Sequence, residues 1–434
     1  MRDVKIGIVG LGNVGSGTLS ILAENAGEIA RRLGFGLEVA AVCSRNAPEQ
    51  KVPASLRPRL ITTDWREVVN HPEVEVVVEL VGGTAVARAV VEAALGLGKP
   101  VVTANKELMG RDGVALFRKA AAAGTTMQME ASVCGGIPIH AVLREGICGD
   151  RIERLYGILN GTSNYILTDV EHKGADFGEV LRKAQELGYA EADPTADIEG
   201  FDARSKLVLL AALAFGVRVE PESIPTEGIT RITPVDFRYA RQVNCTIRLL
   251  CTAERTPEGL FLAVRPSLIP LDAILAGVQG AYNAVWLRGQ FGLDTFYYGR
   301  GAGPHPTGVA VVSDLMRVAR DLRSGSLGRV SPYSFWDPAD GTPREIGEQE
   351  RPWYLRFRVK DQPGIIAALA RILAEHDISI DAVLQLPDED WRNLPFVITV
   401  EKTREANIRA ALGRMSEFPF MAEPPLALPM EPGL

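Results

Sequence analysis

The cysteines of this chain form no C-x-x-C pair. They stand singly at positions 43, 134, 148, 245 and 251, an odd number. That excludes a disulfide scaffold and a paired-thiol metal knuckle, and it predicts a reducing, cytoplasmic compartment. Long hydrophobic runs are also missing. The longest nearly apolar stretch, Leu207 to Phe215, is far shorter than the roughly 20 residues of a membrane-spanning helix, so no membrane partner is expected. The opening Met1-Arg2-Asp3-Val4-Lys5-Ile6 holds no apolar signal core. Aromatic residues make up only 6% and do not interleave with basic ones, which leaves no stacking platform for nucleic acid. Basic charge is not in excess either. Lys and Arg number 47 against 54 Asp and Glu, a formal charge of −7, and no broad field draws nucleic acid or an anionic surface. The five histidines (71, 140, 172, 305 and 376) make no ligand cluster, which argues against a catalytic zinc.

What is present is ordinary globular material, 46% hydrophobic and 23% charged over 434 residues, enough for about three domains. The first part alternates short β-branched runs with helical patterns. Val4–Val9, Leu37–Val42, Val74–Leu80 and Pro100–Thr103 read as strands. Helices are expected at Val14–Arg32, at about 84–96 and at 106–123. Such alternation predicts a parallel, doubly wound sheet. From about residue 140 the rhythm changes to a strand at Leu155–Leu159, helices at about 163–172, 177–188 and 200–215, and a strand-rich region between 245 and 300. The stretch Arg323–Arg351 has no period and reads as a linker or wrapped loop. The tail runs strand (Tyr354–Lys360), helix (Gly364–His376), strand (Ile378–Gln385), strand (Phe396–Val400), helix (Arg404–Met415), strand (Phe420–Leu428). That is a ferredoxin-like βαββαβ order.

Gly10-Leu11-Gly12-Asn13-Val14-Gly15 fits G-x-G-x-x-G directly after a strand and at a helix start. Glycines there permit a tight turn and let backbone N–H groups approach a pyrophosphate. This predicts a Rossmann-type dinucleotide site. The second strand ends Val42-Cys43-Ser44-Arg45, where NAD sites usually place Asp or Glu. Arg45 can pair with a 2′-phosphate, which favours NADP over NAD; otherwise it is a solvated loop cation. Thr103-Ala104-Asn105-Lys106 follows a strand at the ligand edge of the sheet, within reach of cofactor or substrate oxygens.

The most specific stretch is Ala184–Lys206, with Glu191, Asp193, Asp197, Glu199 and Asp202 between turns forced by Pro194 and Gly200. Asp202 and Lys206, at i and i+4, meet on one helix face. Read blandly, they are an exposed ion pair. Their stripe, however, continues through Leu209 and Leu213, which places the pair at the end of a buried face, where a held lysine can serve as a proton donor.

This segment matches, without a gap, the signature A-x-x-x-G…D-P-x-x-D-[LIV]-x-G-x-D-x-x-x-K of the homoserine dehydrogenases. The matching residues are Ala184, Gly188, Asp193, Pro194, Asp197, Gly200, Asp202 and Lys206. Thr103–Lys106, Glu130–Pro138, Asn160–Tyr165, Gly301-Ala302-Gly303 and Pro306-Thr307 are similar to that family too, over about residues 1–325. The resemblance implies interconversion of L-aspartate 4-semialdehyde and L-homoserine with NADP or NAD, in threonine, methionine and isoleucine biosynthesis. It casts Lys206 as proton donor, Asp202 as its orienting partner, Lys106 as a second active-site lysine, Glu191 as the holder of the substrate amino group and Asp197 as its support. It adds Gly303 as a backbone point closing on the cofactor. It also implies a structural monovalent cation, Na⁺ by its hard-oxygen donors, at Glu130 and the carbonyls of Val133, Gly135 and Ile137. Cys134 departs from the family there, standing where glycine is usual.

The tail resembles an ACT domain, an amino-acid-sensing module, with Asp361 and Gly364 at the loop before its first helix. L-threonine, the pathway end product, is the expected effector. The organisation expected is therefore α/β overall. A nucleotide-binding domain would span 1–140 with a return segment at about 301–325, and an α+β catalytic and dimerisation domain 141–300. A linker at 326–350 and an ACT domain at 351–434 would follow. A monofunctional homo-oligomer, dimer or tetramer, is expected, since no kinase segment precedes residue 1. Two rivals are a nicotinamide oxidoreductase of another small aldehyde or sugar and a silent amino-acid sensor on a vestigial dinucleotide fold.

Overall fold

A computed structural model of the chain describes residues 1–46, 52–328, 339–387, 390 and 392–434. Residues 329–338 of the expected linker lie outside the described residues. The chain divides into two compact units. One comprises Met1–Ile152, Ser205–Val219 and Gly289–Gly341; the other comprises Glu153–Arg204, Glu220–Arg288 and Thr342–Leu434.

The first unit is built on six strands, β1 (Val4–Val9), β2 (Leu37–Cys43), β3 (Leu60–Thr62), β4 (Val76–Glu79), β5 (Val101–Thr103) and β6 (Met127–Gln128). They lie in the order β3-β2-β1-β4-β5-β6, every pair parallel. Val4, Ile6, Ile8, Val76, Val78 and Val102 are wholly buried, as the central strands of a sheet covered on both faces must be. Strand order reverses between β1 and β4, so a crevice opens at their carboxyl ends.

In place of one helix over Val14–Arg32 there are two, Asn13–Glu24 and Ala26–Leu33. Asn25 (φ −99°, ψ 12°) closes the first and opens the second. Its N–H donates to the Ile21 carbonyl, and its own carbonyl accepts from Ile29. Asparagine's competing backbone hydrogen bonds make it a poor helix-interior residue, which is why the apolar period runs straight through a break. The helix Pro304–Ser324 packs on Asn13–Glu24 at a glycine contact. A Cβ at Gly17 would lie 2.1 Å from the Pro304 carbonyl oxygen, so the two backbones touch only because Gly17 has none.

In the second unit, Gly259–Pro270, Cys245–Thr256, Ile152–Ile158 and Tyr282–Gly289 lie side by side in that order, the first two pairs antiparallel. The tail sheet runs Ile380–Leu384, Leu394–Arg404, Glu350–Val359, Leu426–Pro429, antiparallel throughout. Its helices Ile365–Glu375 and Glu405–Met415 complete the βαββαβ order. The last strand begins only at Leu426, later than expected, because Pro424 and Pro425 lack the N–H groups a ladder needs.

Tail and catalytic sheet share this unit through buried charge. Arg356 pairs with Asp236, Arg265 with Glu405 at 2.6 Å, and Arg351 with both Glu254 and Glu431. Removing one member of such a buried pair strands the other and costs about 3–5 kcal/mol. Tyr239, on the helix Pro234–Gln242, donates to the Pro395 carbonyl at 2.7 Å and accepts the Leu386 N–H at 3.0 Å.

Candidate active site

The nucleotide cradle is made almost wholly of backbone. β1 ends at Val9 and the chain turns at Gly10, whose φ of +105° strains any L side chain. A Cβ there would stand 2.4 Å from the Leu80 carbonyl oxygen. Gly15 lies beneath the turn, where a Cβ would collide with the Gly10 carbonyl at 2.1 Å. At Gly12, by contrast, a Cβ would meet nothing within 4 Å, and the open space is a cavity of about 480 Å³. Gly12 precedes the helix Asn13–Glu24, which has no side-chain cap and no acid in its first turn. Its first N–H groups and its positive end are therefore left for an anion, and the residues present fit a dinucleotide pyrophosphate.

Gly10, Leu11, Ser44 and Arg45 line that cavity, Arg45 being exposed. Arg66 lines it too and was missed in the sequence. Its guanidinium lies 4.6 Å from the Trp65 ring centroid and 3.4 Å from Asp64. The only local signal was Asp64 as a helix cap, its carboxylate accepting the Arg66 N–H at 3.0 Å. A neighbouring cavity of about 250 Å³ is lined by Val14, by the loop Leu80–Gly83 and by Ala104–Glu107, so Lys106 stands at this edge. Thr103 lines neither cavity. It is buried beneath them, its hydroxyl donating to Glu79 at 2.6 Å. Gly303 (φ 119°) precedes the helix Pro304–Ser324.

The loop after β6 holds the cation candidates. Glu130 is buried, and its carboxylate accepts the N–H groups of His140 and Ala141 at 2.8 Å each; burial raises its pKa. Its own N–H donates to Asp314, whose carboxyl burial pushes up to about 7. Cys134 takes a left-handed conformation (φ 55°), followed by Gly135 (φ 38°). Cys134 thus supports, with strain, the turn that glycine would make freely, and Val133 and Ile137 flank it. The Ile137 carbonyl accepts the Ile139 N–H at 2.7 Å and keeps a second lone pair. A buried carboxylate beside main-chain carbonyls fits a hard monovalent ion.

In the second unit the acidic segment folds around one amide. Asn160 caps the helix Gly161–Lys173, its Oδ1 accepting the Ser163 N–H at 2.8 Å. Its Nδ2 donates to Asp197 at 2.6 Å and to Asp202 at 2.8 Å. Sequence reading noticed the Asn160–Tyr165 stretch but gave Asn160 no role. Asp193 accepts from Thr195 and fixes the turn before Asp197. Glu191 is exposed and stands outside this cluster; its carbonyl accepts the Gln185 side chain at 3.1 Å. The helix Phe201–Phe215 starts in the second unit with Asp202 and continues from Ser205 in the first with Lys206; the two are buried, 8% and 9% exposed. Leu209 and Leu213 continue their stripe and are buried as well.

The tail opens a cavity of about 340 Å³, lined by Asp361, Gln362, Gly364, Gln385 and Phe396 among others. The helix Ile365–Glu375 begins there after Gly364 (φ 93°), again with no side-chain cap and no acid in its first turn.

A cradle for a dinucleotide and a buried lysine one helical turn from a held carboxylate belong together in the NAD(P)-dependent oxidoreductases. Family models agree in detail. Residues 10–130 match the homoserine dehydrogenase NAD-binding domain, 138–316 homoserine dehydrogenase itself and 353–417 the ACT domain. The chain is 42% identical over 434 residues to a homoserine dehydrogenase of Pseudomonas aeruginosa, covering 99% of each. It is 35% identical over 424 residues to one of Bacillus subtilis, covering 98% of this chain and 97% of that one. A crystal structure of a homoserine dehydrogenase from Thiobacillus denitrificans superposes with a TM-score of 0.92 at 42% identity, covering 100% of this chain and 99% of that one. A hyperthermophilic archaeal homoserine dehydrogenase in complex with NADPH is similar over 73% of this chain and 98% of that one, with a TM-score of 0.62 at 27% identity. The chain belongs to the homoserine dehydrogenase family. No helix among the described residues is long and apolar enough to cross a membrane.

Proposed function

We propose that this homoserine dehydrogenase reduces L-aspartate 4-semialdehyde to L-homoserine with NADPH in preference to NADH, under feedback from L-threonine bound at its ACT tail. The observation that carries the residue roles is the buried Asp202–Lys206 helix turn, with Asp202 and Asp197 both held by Asn160. When bound in the Gly10–Gly15 cradle, a nicotinamide cofactor would supply hydride chemistry toward the aldehyde carbon. Lys206 then gives a proton from Nζ to the oxygen that gains charge, and takes it back in the reverse direction. Asp202 favours the charged ammonium and fixes its rotamer. Lys106 adds positive charge where the oxygen becomes an alkoxide, a stabilisation stronger in the transition state than in the ground state. Glu191, exposed as a carboxylate must be to receive a charged amine, holds the substrate amino group, and Asp197 shapes that pocket. Arg45, with Arg66 beside it, takes the 2′-phosphate, and Gly303 closes on the cofactor.

Na⁺ at Glu130, Val133, Gly135 and Ile137 would brace the loop and takes no part in proton transfer. Asp361 and Gly364 receive the effector's amino and carboxylate groups. Assembly with a second copy completes the reading, supported by Phe291, Leu293 and Tyr298, which stand 79%, 60% and 51% exposed. Lys206→Ala tests the central role. It is expected to lower kcat by about 10²–10⁴-fold while NADPH affinity stays within about twofold. A kcat near wild type would remove Lys206 from proton transfer.

A further inference from the structure

β4 ends in Glu79, which is wholly buried and takes no part in the chemistry above. Its carboxylate accepts the Val81 N–H and the Thr103 hydroxyl, each at 2.6 Å. The Thr103 oxygen in turn accepts the Asn105 N–H at 3.1 Å. Asn105 then ties the two loops directly. Its amide donates to the carbonyls of Val81 at 3.1 Å and Gly83 at 2.7 Å, and its Oδ1 accepts the Leu108 N–H at 3.0 Å, capping the helix that starts at Lys106. Glu79 is thus the hub that stitches the β4 loop to the β5 loop. Those loops are the walls of the 250 Å³ cavity, and Leu80, Val81 and Gly82 line the larger one as well.

We propose that Glu79 is a positioning residue for the cofactor: as a carboxylate it holds the two loops, and Lys106 with them, in the cofactor-receiving geometry, and on protonation it loosens them. The reason is hydrogen-bond polarity. An ionised carboxylate accepts from all these donors at once, whereas a protonated one must turn one oxygen into a donor. Thr103 then accepts from Glu79 and from Asn105 with its two lone pairs, its own O–H loses the carboxylate as acceptor, and the stitch slackens.

Burial pushes the Glu79 carboxyl up to about 7, against the hydrogen bonds from Thr103, Val81 and Asn105 that pull it down, so the change falls near neutral pH. Its strand neighbours Val9 and Thr103 carry no charge. On the helix packed against β4, Arg88 and Glu92 pair with each other at the surface. The elements packed on β5 carry Glu130, Asp314 and Arg317, and the loop itself carries Lys106 and Glu107.

The test is the dissociation constant for NADPH and for NADH, read by nicotinamide fluorescence between pH 6 and 8.5, in wild type, Glu79→Gln and Thr103→Val. Glutamine can accept from Val81 and donate to Thr103, which fixes the protonated pattern. Wild-type affinity is expected to rise about 3–10-fold through pH 7, with Glu79→Gln flat at the low-pH value. Thr103→Val removes a donor to the carboxylate, so its step should move to higher pH. The cofactor's own phosphate titrates in all three proteins, so the difference between them isolates Glu79. A Glu79→Gln profile that superimposes on wild type overturns the proposal. So does a Thr103→Val step that stays in place, which decides the matter alone should Glu79→Gln fail to fold.

Stability separates positioning from scaffolding. A pKa raised on folding destabilises the native state progressively above the unfolded value of about 4.3, fully so above pH 7. Glu79→Gln should therefore melt at or above the wild-type temperature at pH 8. A lower melting temperature with an unchanged affinity profile would mark Glu79 as merely structural and refute the proposal.

Discussion

Two helices in this molecule begin alike and differ in the charge around their starts. Asn13–Glu24 starts after Gly12 and Ile365–Glu375 after Gly364; neither has a side-chain cap or an acid in its first turn, and each opens on a cavity. Both leave the same N–H groups and the same positive end free for an anion. What differs is the rim. Arg45 and Arg66 outnumber Asp64 on the first, whereas Asp361 is the one charged side chain lining the second. Cationic walls suit a polyanion such as a phosphorylated dinucleotide; a carboxylate beside a positive helix end suits a zwitterion, whose amine it can receive. A helix start of this kind favours an anionic group in general, and charges around it favour one such molecule over another.

The largest effect that would break this comparison comes from charging the first cradle. Gly12→Asp has room for its side chain, since a Cβ there meets no protein atom, so the fold should survive. Its carboxylate would occupy the pyrophosphate position, and like-charge contact should weaken NADPH binding about 100-fold, measured by fluorescence titration. Unchanged binding would mean the pyrophosphate lies elsewhere. A smaller effect sharpens the rim argument. Arg45→Ala should reduce NADP⁺ affinity about tenfold and leave NAD⁺ affinity unchanged, with Arg66 retaining part of the preference. Equal losses for both cofactors would make Arg45 a general contact. Smallest is Asp361→Asn, which keeps the helix end but removes the carboxylate proposed to receive the effector's amine. If L-threonine is the effector proposed above, it should bind about fivefold more weakly by calorimetry, with kcat in its absence unchanged.

The parts of this molecule that were legible in the sequence are those where backbone geometry or periodicity dictates residue type. β1 is apolar apart from Lys5 near its start, as a strand covered on both faces must be, and Gly10 had to be glycine because its φ and the Leu80 carbonyl allow nothing else. The Asp202–Lys206 spacing reads directly as one helix face. What stayed hidden depends on pairing across the chain. Glu79 meets Thr103 only because β4 and β5 are parallel neighbours in one register, and nothing around Glu79 in the sequence foretells a buried acid. Asn160 gains its role from residues 37 and 42 positions away. Arg351, Arg356 and Arg265 look like solvated charges on alternating strands, yet they sink into the seam between tail and catalytic sheet because Glu254, Glu431, Asp236 and Glu405 await them there. The break at Asn25 was hidden for the opposite reason, an apolar period that continues across it.

The most direct test of the account is the rate of L-homoserine oxidation with NADP⁺ and with NAD⁺, followed by nicotinamide absorbance with and without L-threonine. The account predicts turnover with both cofactors, faster with NADP⁺, and a rate lowered by L-threonine in wild type but less so in Asp361→Asn. A rate indifferent to L-threonine, or one lowered equally in both proteins, would contradict the claim that the two helix starts serve two different ligands.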